Sequence, residues 1–331
     1  MNIMIYKLYK QGYTAKFSLK KPDNINMRNY VLILLFFIFS TNGVSAKPKD
    51  TLSIRKHLNK IINTENPRNH KNIETLNYVA DYIFNDFKKY ADSVYYQPYE
   101  ADNNEYKNVV CVFGSQNDKT IVVGAHYDVC GNQDGADDNA SGVVGLLELA
   151  KSLKNKKLNY RIEIVAYTLE EPPYFRSKNM GSYVHAKSLY ENKTDVYGMF
   201  CLEMIGYFDD SKKSQYYPIR PLSLIYGNKG NYITLVNKFS KGKFSRKFSK
   251  QFKNQRLIKT KKFTGPANLS GIDFSDHLNY WAFDFSALMI TDTAFYRNKN
   301  YHENTDTIET LDLLRMSKVI ESVNQTLINM K

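Results

Sequence analysis

The stretch TIVVGAHYDVCGNQDGADDNASGVVGLLELAKSL, residues 120–153, decides the fold. Its first seven residues, rich in β-branched side chains and ending in His126, are typical of a buried strand. A polar loop containing glycine follows, and the stretch ends in apolar residues at helical spacing. The loop carries two adjacent aspartates, Asp137 and Asp138, whose like charges repel unless a cation or solvent separates them. The sequence therefore predicts a strand, a loop rich in possible ligands and a helix.

The alternation of strands and helices continues on both sides of this stretch. We expect further strands over residues 93–99, 108–114, 161–169, 196–206, 222–227 and 286–292. We expect helices over residues 52–62, 73–90 and 181–190, near 230–254, and from about 311 onward. The first two of these strands are expected to form a hairpin-like edge. Because the inner strands are almost continuously apolar, the pattern predicts an α/β fold: one catalytic domain with a mixed, largely parallel sheet and helices on both faces.

Residues 1–46 have the pattern of a leader and signal peptide. An apolar run over 31–39 precedes Val44-Ser45-Ala46, as in a secretory signal and its cleavage site. The run is shorter than the about 20 residues of a membrane-spanning helix, so cleavage is expected rather than an uncleaved anchor. Met27 is the expected true start, because the residues before it are too many for the basic region of a signal peptide. We expect the domain to occupy 47–331 and the protein to be exported, to the periplasm or the medium.

Net charge and cysteine content bear on the kind of metal site and on the redox state of the thiols. Residues 1–46 hold six basic residues and one acidic residue, so the formal charge falls from +13 to +8 without them. Three cysteines, Cys111, Cys130 and Cys201, allow at most one bridge within the chain, and their apolar surroundings favour buried free thiols. No CxxC pair occurs, so the sequence does not predict a structural zinc site made of thiolates.

Histidines and carboxylates recur where predicted strands end. Taken singly, each has an ordinary explanation: a lone histidine is often a core residue, a Glu-Glu pair is usually solvated, and aspartates before a helix complement its dipole. In an open α/β sheet, however, ligands collect at the carboxyl ends of the strands. Imidazole and carboxylate together suit zinc or a close relative. The sequence therefore predicts a metal site formed from His126, Asp128, Asp137, Asp138, Glu170, Glu171, Glu203 and His302.

Four motifs, GAHYD, GADDNASG, YTLEEP and YHENTDT, occur in this order in the chain. Together they resemble the co-catalytic di-zinc aminopeptidases of peptidase family M28, the bacterial leucyl-type enzymes. That family also contains glutamate carboxypeptidases and glutaminyl cyclases. The resemblance covers about residues 70–330. It implies the zinc-peptidase (phosphorylase/hydrolase-like) fold, about two Zn²⁺ ions per chain and a peptide substrate.

The resemblance also implies a role for each residue around the first zinc. His126 matches a ligand of this ion, and Asp128 matches the carboxylate that orients its ring. Asp137 is expected to bridge both metals and to precede a cis peptide bond, while Asp138 points elsewhere. Glu203 stands where many members have an aspartate ligand, and the extra methylene shifts the metal slightly.

The remaining motif residues belong to the second zinc and to catalysis. Glu171 and His302 match ligands of the second ion. Glu170 matches the general base, and Tyr301 matches a tyrosine that in some members helps to hold the oxyanion. These assignments predict an exported zinc aminopeptidase that removes N-terminal residues by means of a water activated by two metals.

Three alternatives to this prediction stay open. A glutaminyl cyclase shares the fold but uses one zinc and no hydrolytic water. It usually lacks the second aspartate of the pair, so Asp137-Asp138 disfavours it. A carboxypeptidase on the same scaffold has the same metal motifs. The third alternative is not an enzyme: residues 238–262 contain eleven basic residues and no acid, with Phe244, Phe248 and Phe252 at helical spacing.

This basic segment has two interpretations. A basic amphipathic helix can bind an anionic membrane surface, whereas a phenylalanine row can equally pack on the sheet and leave the lysines in water. We favour packing and keep weak contact with anionic membranes as a possibility. Export argues against nucleic acid as a partner.

Overall fold

The computed structural model describes residues 51–240 and 242–331. The predicted leader, signal peptide and cleavage site lie outside the described residues. Eight strands form one mixed sheet in the order β1-β2-β4-β3-β5-β8-β6-β7. They are β1 Ser93–Ala101, β2 Asn104–Phe113, β3 Thr120–His126, β4 Arg161–Tyr167, β5 Val196–Glu203, β6 Ile233–Lys238, β7 Thr260–Gly265 and β8 Ala287–Thr291.

The pairing of the strands confirms the predicted mixed sheet with a parallel centre. Strands β4, β3, β5 and β8 are adjacent in this order and parallel to one another. The hairpin β1–β2 adds an antiparallel edge to β4, as expected. At the other edge β6 runs antiparallel to β8, and β7 runs parallel to β6. The carboxyl ends of the four central strands therefore meet at one edge of the sheet.

Helices cover both faces, and each face has its own hydrophobic core. The helices are α1 Thr51–Ile62, α2 Ile73–Phe87, α3 Gly142–Leu153, α4 Gly181–Glu191, α5 Leu222–Tyr226, α6 Lys243–Gln255, α7 His277–Ala282 and α8 Leu313–Asn329. Alternate side chains of a strand enter opposite cores: Phe200 and Leu202 of β5 join one, whereas Met199 and Cys201 join the other. The single α/β domain is thus built as the sequence predicts.

Two predicted elements are wrong in type or extent. Residues 222–227 were expected to form a strand but form the short helix α5, with Leu224 and Ile225 exposed. Pro221 precedes the helix, and local hydrogen bonds such as Gly227 N to Ser223 O satisfy its backbone, so it needs no partner strand. The basic helix expected near 230–254 begins only at Lys243, after strand β6.

Strands β6 and β7 and helix α7 were not predicted; β6 lies within the segment that was expected to be the basic helix. Apolar and polar residues do not alternate along strand β7, which contains Lys261 and Lys262. The strand is a half-exposed edge strand, and lysine is common on such edges. The pattern that would have predicted a strand is therefore missing. Helix α7 has only six residues, too few to show a helical period.

The phenylalanine row of α6 is buried, as the packing interpretation predicts. Phe244, Phe248 and Phe252 belong to the core between the sheet and α8, and Phe248 packs on Phe200 with ring centroids 4.5 Å apart. These rings are therefore unavailable to a membrane, and contact through the lysines alone stays a prediction. Within the described ranges, no helix is long and apolar enough to cross a membrane.

The cysteines are free thiols, as expected. Cys111 and Cys201 are buried, and Cys130 is half-buried. Burial raises the pKa of Cys130 to about 11, so its sulfur is protonated at neutral pH.

Candidate metal centre

The predicted site residues converge at the carboxyl ends of β3, β4 and β5. Strand β3 ends at His126, β5 ends at Glu203, and the chain leaving β4 leads to Glu170 and Glu171. Because β4, β3 and β5 are adjacent and parallel, their ends bring these side chains together. The loop before the last helix adds His302 from a distant part of the sequence.

His126 is the centre of the first half of the cluster. Its Nε2 lies 3.4 Å from a carboxylate oxygen of Glu203 and 3.4 Å from one of Asp138. Glu170 is somewhat farther, at 3.8 Å. All four side chains are buried. Ser275 donates to Glu203 at 2.7 Å and so fixes one of its oxygens.

His302 is the centre of the second half. Its Nε2 lies 3.2 Å from Asp138 Oδ2 and 3.2 Å from Glu171 Oε2. Asp138 therefore stands between two imidazoles, with Oδ1 towards His126 and Oδ2 towards His302. A carboxylate in this position can serve both halves of a two-metal site.

The structure contradicts the expected roles of the two aspartates. Asp137 was expected between the metals and Asp138 outside, but the reverse is found. Asp137 turns away from both histidines and accepts from the backbone of Gly206 and from Asn298, each at 2.9 Å. The cis peptide bond follows Asp138, joining it to Asn139, and not Asp137.

A single carboxylate, Asp306, sets the position of this aspartate pair. It accepts from the backbone N–H groups of Asp137 and Asp138, at 2.9 and 3.0 Å. Adjacent side chains of the turn over 136–141 then point to opposite sides, so only one of the two can face the histidines. Sequence reasoning missed Asp306 and Asn298; Asp306 lies four residues after His302, and its place in the motif YHENTDT was the only signal for it.

The two aspartates lie in different electrostatic environments. Burial and the nearby charge of Asp292 raise the pKa of Asp137 well above its usual range. Burial acts in the same direction on Asp138, but the neighbouring imidazoles of His126 and His302 outweigh it and hold that pKa below its usual range. Asp138 is thus the more acidic member of the pair.

Asp128 supports the site by two routes. Its carboxylate accepts from the backbone N–H of Glu170 at 3.2 Å and of Glu171 at 3.1 Å. The same carboxylate lies 3.6 Å from Nδ1 of His126, while the backbone oxygen of Asp128 lies 3.2 Å from that nitrogen. It therefore lies beside the ring and also holds the loop that carries both glutamates.

The donor atoms of the cluster fit a divalent metal. Nε2 of His126, Nε2 of His302 and Oε1 of Glu171 are buried and have no hydrogen-bond partner. One ligand atom each of His126, Asp138 and Glu171 lie within 4.8 Å of one another. Buried carboxylates and unpartnered imidazoles are costly unless a cation satisfies them, and this donor set suits zinc.

A cleft opens over the cluster and contains Tyr301. The Tyr301 ring stacks on that of His302, with centroids 3.8 Å apart and planes 19° apart. Burial and the surrounding carboxylates raise the pKa of the Tyr301 hydroxyl, so it remains a proton donor at neutral pH. The cleft is lined by Asp138, Glu170, Glu171, Pro172, Phe175, Glu203, Phe274, Ala294, Phe295, Tyr301 and His302.

Known proteins are similar to this chain in sequence and in fold. The uncharacterized protein YfbL of Escherichia coli (strain K12) is 38% identical over 315 residues, which are 91% of this chain and 97% of that protein. A probable leucine aminopeptidase of Arthroderma otae is 26% identical over 222 residues, which are 62% of this chain and 52% of that protein. The chain thus spans about half the length of the fungal relative.

Structural similarity agrees with the sequence matches. The crystal structure of Bacteroides thetaiotaomicron glutaminyl cyclase bound to N-acetylhistamine superposes with a TM-score of 0.64 at 16% identity, covering 85% of this chain and 98% of that one. The sequence model of peptidase family M28 matches residues 108–327, which include every residue of the metal centre. This chain therefore belongs to peptidase family M28.

Proposed function

We propose that this protein is an exported, zinc-dependent aminopeptidase that uses two metal ions to remove N-terminal residues from peptides. One observation carries the proposal: the carboxylate of Asp138 stands between two imidazoles, each of which has a further carboxylate of its own. Two metal ions that share one bridging carboxylate need such an arrangement, with one imidazole and one further carboxylate on each side. Export rests on the signal-like sequence of residues 1–46.

The ligand sets follow from the two halves of the cluster. His126, Glu203 and one oxygen of Asp138 would hold the first ion. His302, Glu171 and the other oxygen of Asp138 would hold the second. When bound, a pair of zinc ions supplies an activated water and polarises the scissile carbonyl.

Glu170 is placed to act as the general base. It is next in sequence to a proposed ligand, but its carboxylate is farther from His126 than those of Asp138 and Glu203. Burial raises its pKa well above the usual range, which favours a group that accepts a proton and then gives it up. Glu170 would take the proton of the attacking water and pass it to the leaving amine.

Tyr301 would stabilise the oxyanion that forms at the carbonyl. It lies in the same cleft, keeps its hydroxyl proton and is held in place by stacking on His302. A donor fixed before the reaction begins stabilises developing charge without reorganisation.

The lining of the cleft favours an aminopeptidase over a carboxypeptidase. Among the described residues that line it there is no lysine or arginine to pair with a C-terminal carboxylate. The printed name of the fungal relative, a leucine aminopeptidase, supports the same choice.

Glutaminyl cyclase is the second candidate, because a solved structure of that name has this fold. Metal analysis of the protein, alongside hydrolysis of aminoacyl anilides and cyclisation of N-terminal glutamine, separates the two. We expect about two zinc ions per chain and release of the N-terminal residue. One zinc with pyroglutamate formation would establish the cyclase instead. Cleavage only of N-blocked peptides from the C-terminus would establish a carboxypeptidase.

A further inference from the structure

A second cavity adjoins the cleft on the same side of the sheet. It shares Glu203, Phe274, Ala294 and Phe295 with the cleft. A substrate group that enters the cleft can therefore extend into this cavity. None of the expected site residues except Glu203 lines it.

The floor of the cavity is a row of side chains across four strands. Glu203 of β5 pairs with Thr291 of β8, Thr291 pairs with Thr234 of β6, and Thr234 pairs with Lys261 of β7. Paired residues point to the same face, so all four line the cavity. Three interstrand spacings put the ends of the row roughly 14 Å apart. The proposed metal ligand and a lysine thus mark opposite ends of one floor.

The middle of the cavity is apolar. The next row on the same face consists of Met289, Val236 and Phe263. Aromatic side chains from the segments around the sheet complete the wall; they are Tyr216, Tyr217, Tyr226, Tyr232, Phe274, Phe295 and Tyr296. A group that fills this region must itself be largely apolar.

Lys261 has no acidic partner among the described residues. Its ammonium lies over the ring of Tyr232, 3.6 Å from the centroid. The guanidinium of Arg297 also lies over this ring, at 4.8 Å. Burial, followed by the charges of Lys259 and Arg297, lowers the pKa of Lys261 to about 8. At the far end of the cavity, the half-buried ammonium of Lys261 therefore has no carboxylate beside it among the described residues.

A neighbouring polar group is also unsatisfied. The hydroxyl of Thr234, a buried residue in the middle of the floor, has no hydrogen-bond partner. It is placed between Thr291 and Lys261, where it can meet a polar substituent at the end of an apolar group. A lysine without a counter-ion and a threonine without a partner both point to a missing anionic acceptor.

We propose that this cavity binds a substrate side chain that is apolar near the scissile bond and carries a carboxylate at its far end, with Lys261 as the counter-ion. The proposal rests on the proposed function, because it takes the group to be the side chain of an N-terminal residue. The length of the floor suits an aromatic side chain with an acidic substituent better than it suits leucine. Lys261 acts as a specificity-determining residue and touches no reacting atom.

Two nearly isosteric substrates test the proposal. We compare 4-carboxyphenylalanyl-4-nitroanilide with 4-carbamoylphenylalanyl-4-nitroanilide, which differ in charge but hardly in shape. The wild-type protein should prefer the carboxylate in kcat/KM by about 10- to 100-fold, as expected for a hydrogen bond to a charged group. Lys261→Met should abolish this preference by lowering kcat/KM for the carboxylate substrate.

Lys262→Met is the matched control. Lys262 is the next residue of the same strand, points to the other face and does not line the cavity. It should keep the full preference. In the wild-type protein the preference should fall as pH rises above 8, since deprotonation removes the charge of Lys261; the other charged or titratable groups that face it are Lys259, Arg297 and Tyr232. Equal rates on both substrates, or a preference unchanged in Lys261→Met, would overturn the proposal.

A binding measurement separates this proposal from the proposed function. Calorimetry with the free amino acids 4-carboxyphenylalanine and 4-carbamoylphenylalanine requires no turnover. Absence of hydrolysis together with tighter binding of the carboxylate, lost in Lys261→Met, would refute the aminopeptidase and keep the cavity assignment. Hydrolysis of leucyl-4-nitroanilide with equal binding of both amino acids would keep the aminopeptidase and refute the cavity assignment.

Discussion

Strand β5 connects two regions that use buried side chains in opposite ways. Phe200 packs against Phe248 of α6, in a core where apolar rings meet apolar rings. Glu203, at the end of the same strand, joins a cluster in which buried nitrogen and oxygen atoms lack hydrogen-bond partners. The first region consists of apolar side chains that need no polar partner, whereas the second contains buried polar atoms for which we propose a cation as partner.

The phenylalanine core and the metal centre contribute differently to stability and to function. Burial of apolar surface stabilises the folded chain directly, so losses in the phenylalanine core should lower the free energy of unfolding. Several carboxylates buried close together destabilise the metal-free chain. Substitution of a proposed ligand should therefore remove metal and activity but lower the free energy of unfolding only slightly.

The largest expected effect distinguishes the two adjacent aspartates. Asp138→Asn removes the charge between the imidazoles, so metal content and peptide hydrolysis should both fall to background. Asp137→Asn changes a hydrogen-bonded carboxyl that faces Gly206 and Asn298 and neither imidazole, so metal should still bind and kcat should fall by no more than about 10- to 100-fold. Metal analysis and anilide hydrolysis of both variants check this. The opposite result would restore Asp137 as the bridging residue.

The next effect distinguishes the adjacent glutamates. Glu170→Gln keeps size but removes the base, so kcat should fall about 10²- to 10⁴-fold with wild-type zinc content. Glu171→Gln should lose zinc together with activity, because it removes a ligand charge. Reversed zinc contents would mean that the two roles are exchanged. If neither change slows peptide hydrolysis, the proposed centre is not the active site.

Acid should release metal from the centre but not disturb the phenylalanine core. Burial opposes protonation of His302, yet Asp138 and Glu171 outweigh it and raise its pKa to about 10. Burial, and then the charge of Asp138, raises the pKa of Glu171 to about 7. Protons therefore compete with metal at both groups, and affinity should rise about tenfold per pH unit for each proton released. Zinc titration against a competing chelator from pH 6 to 8 measures this slope, and a flat profile would contradict it.

A smaller effect on activity, but a large one on stability, is expected in the phenylalanine core. Phe248→Ala leaves a cavity between β5 and α6 and should cost about 3–5 kcal/mol of unfolding free energy. Urea denaturation measures the loss. The metal stoichiometry of the folded fraction should stay unchanged, since α6 contributes no proposed ligand. Loss of metal without loss of stability would contradict the separation of the two regions.

The smallest effect is expected on the outer surface of α6. Changing Arg246, Lys247 and Lys250 together to glutamine should alter stability by no more than about 0.5 kcal/mol per site, since surface substitutions rarely do more. Binding to anionic vesicles, if the lysines provide it, should weaken in this variant and with added salt. If the variant binds anionic vesicles as well as the wild-type protein does, these three residues do not mediate contact with membranes.

Local sequence patterns predicted most of the sheet but not its lysine-rich edge. Strands β3, β4 and β5 are buried on both faces, so they are almost continuously apolar and easily recognised. Strand β7 is half-exposed, and its lysines conceal the strand. The apolar residues 222–226 form a helix because local hydrogen bonds and a preceding proline outweigh their tendency to form a strand.

The sequence by itself determined which chemistry is present: histidines and carboxylates at the ends of apolar strands, in the order of a di-zinc family. It did not determine which of the two adjacent aspartates faces the histidines, because both are carboxylates in one turn. Asp306, 168 residues after Asp138, decides this through hydrogen bonds to the turn backbone. The row from Glu203 to Lys261 likewise exists only in the folded sheet, since pairing between strands brings together residues that no local pattern relates.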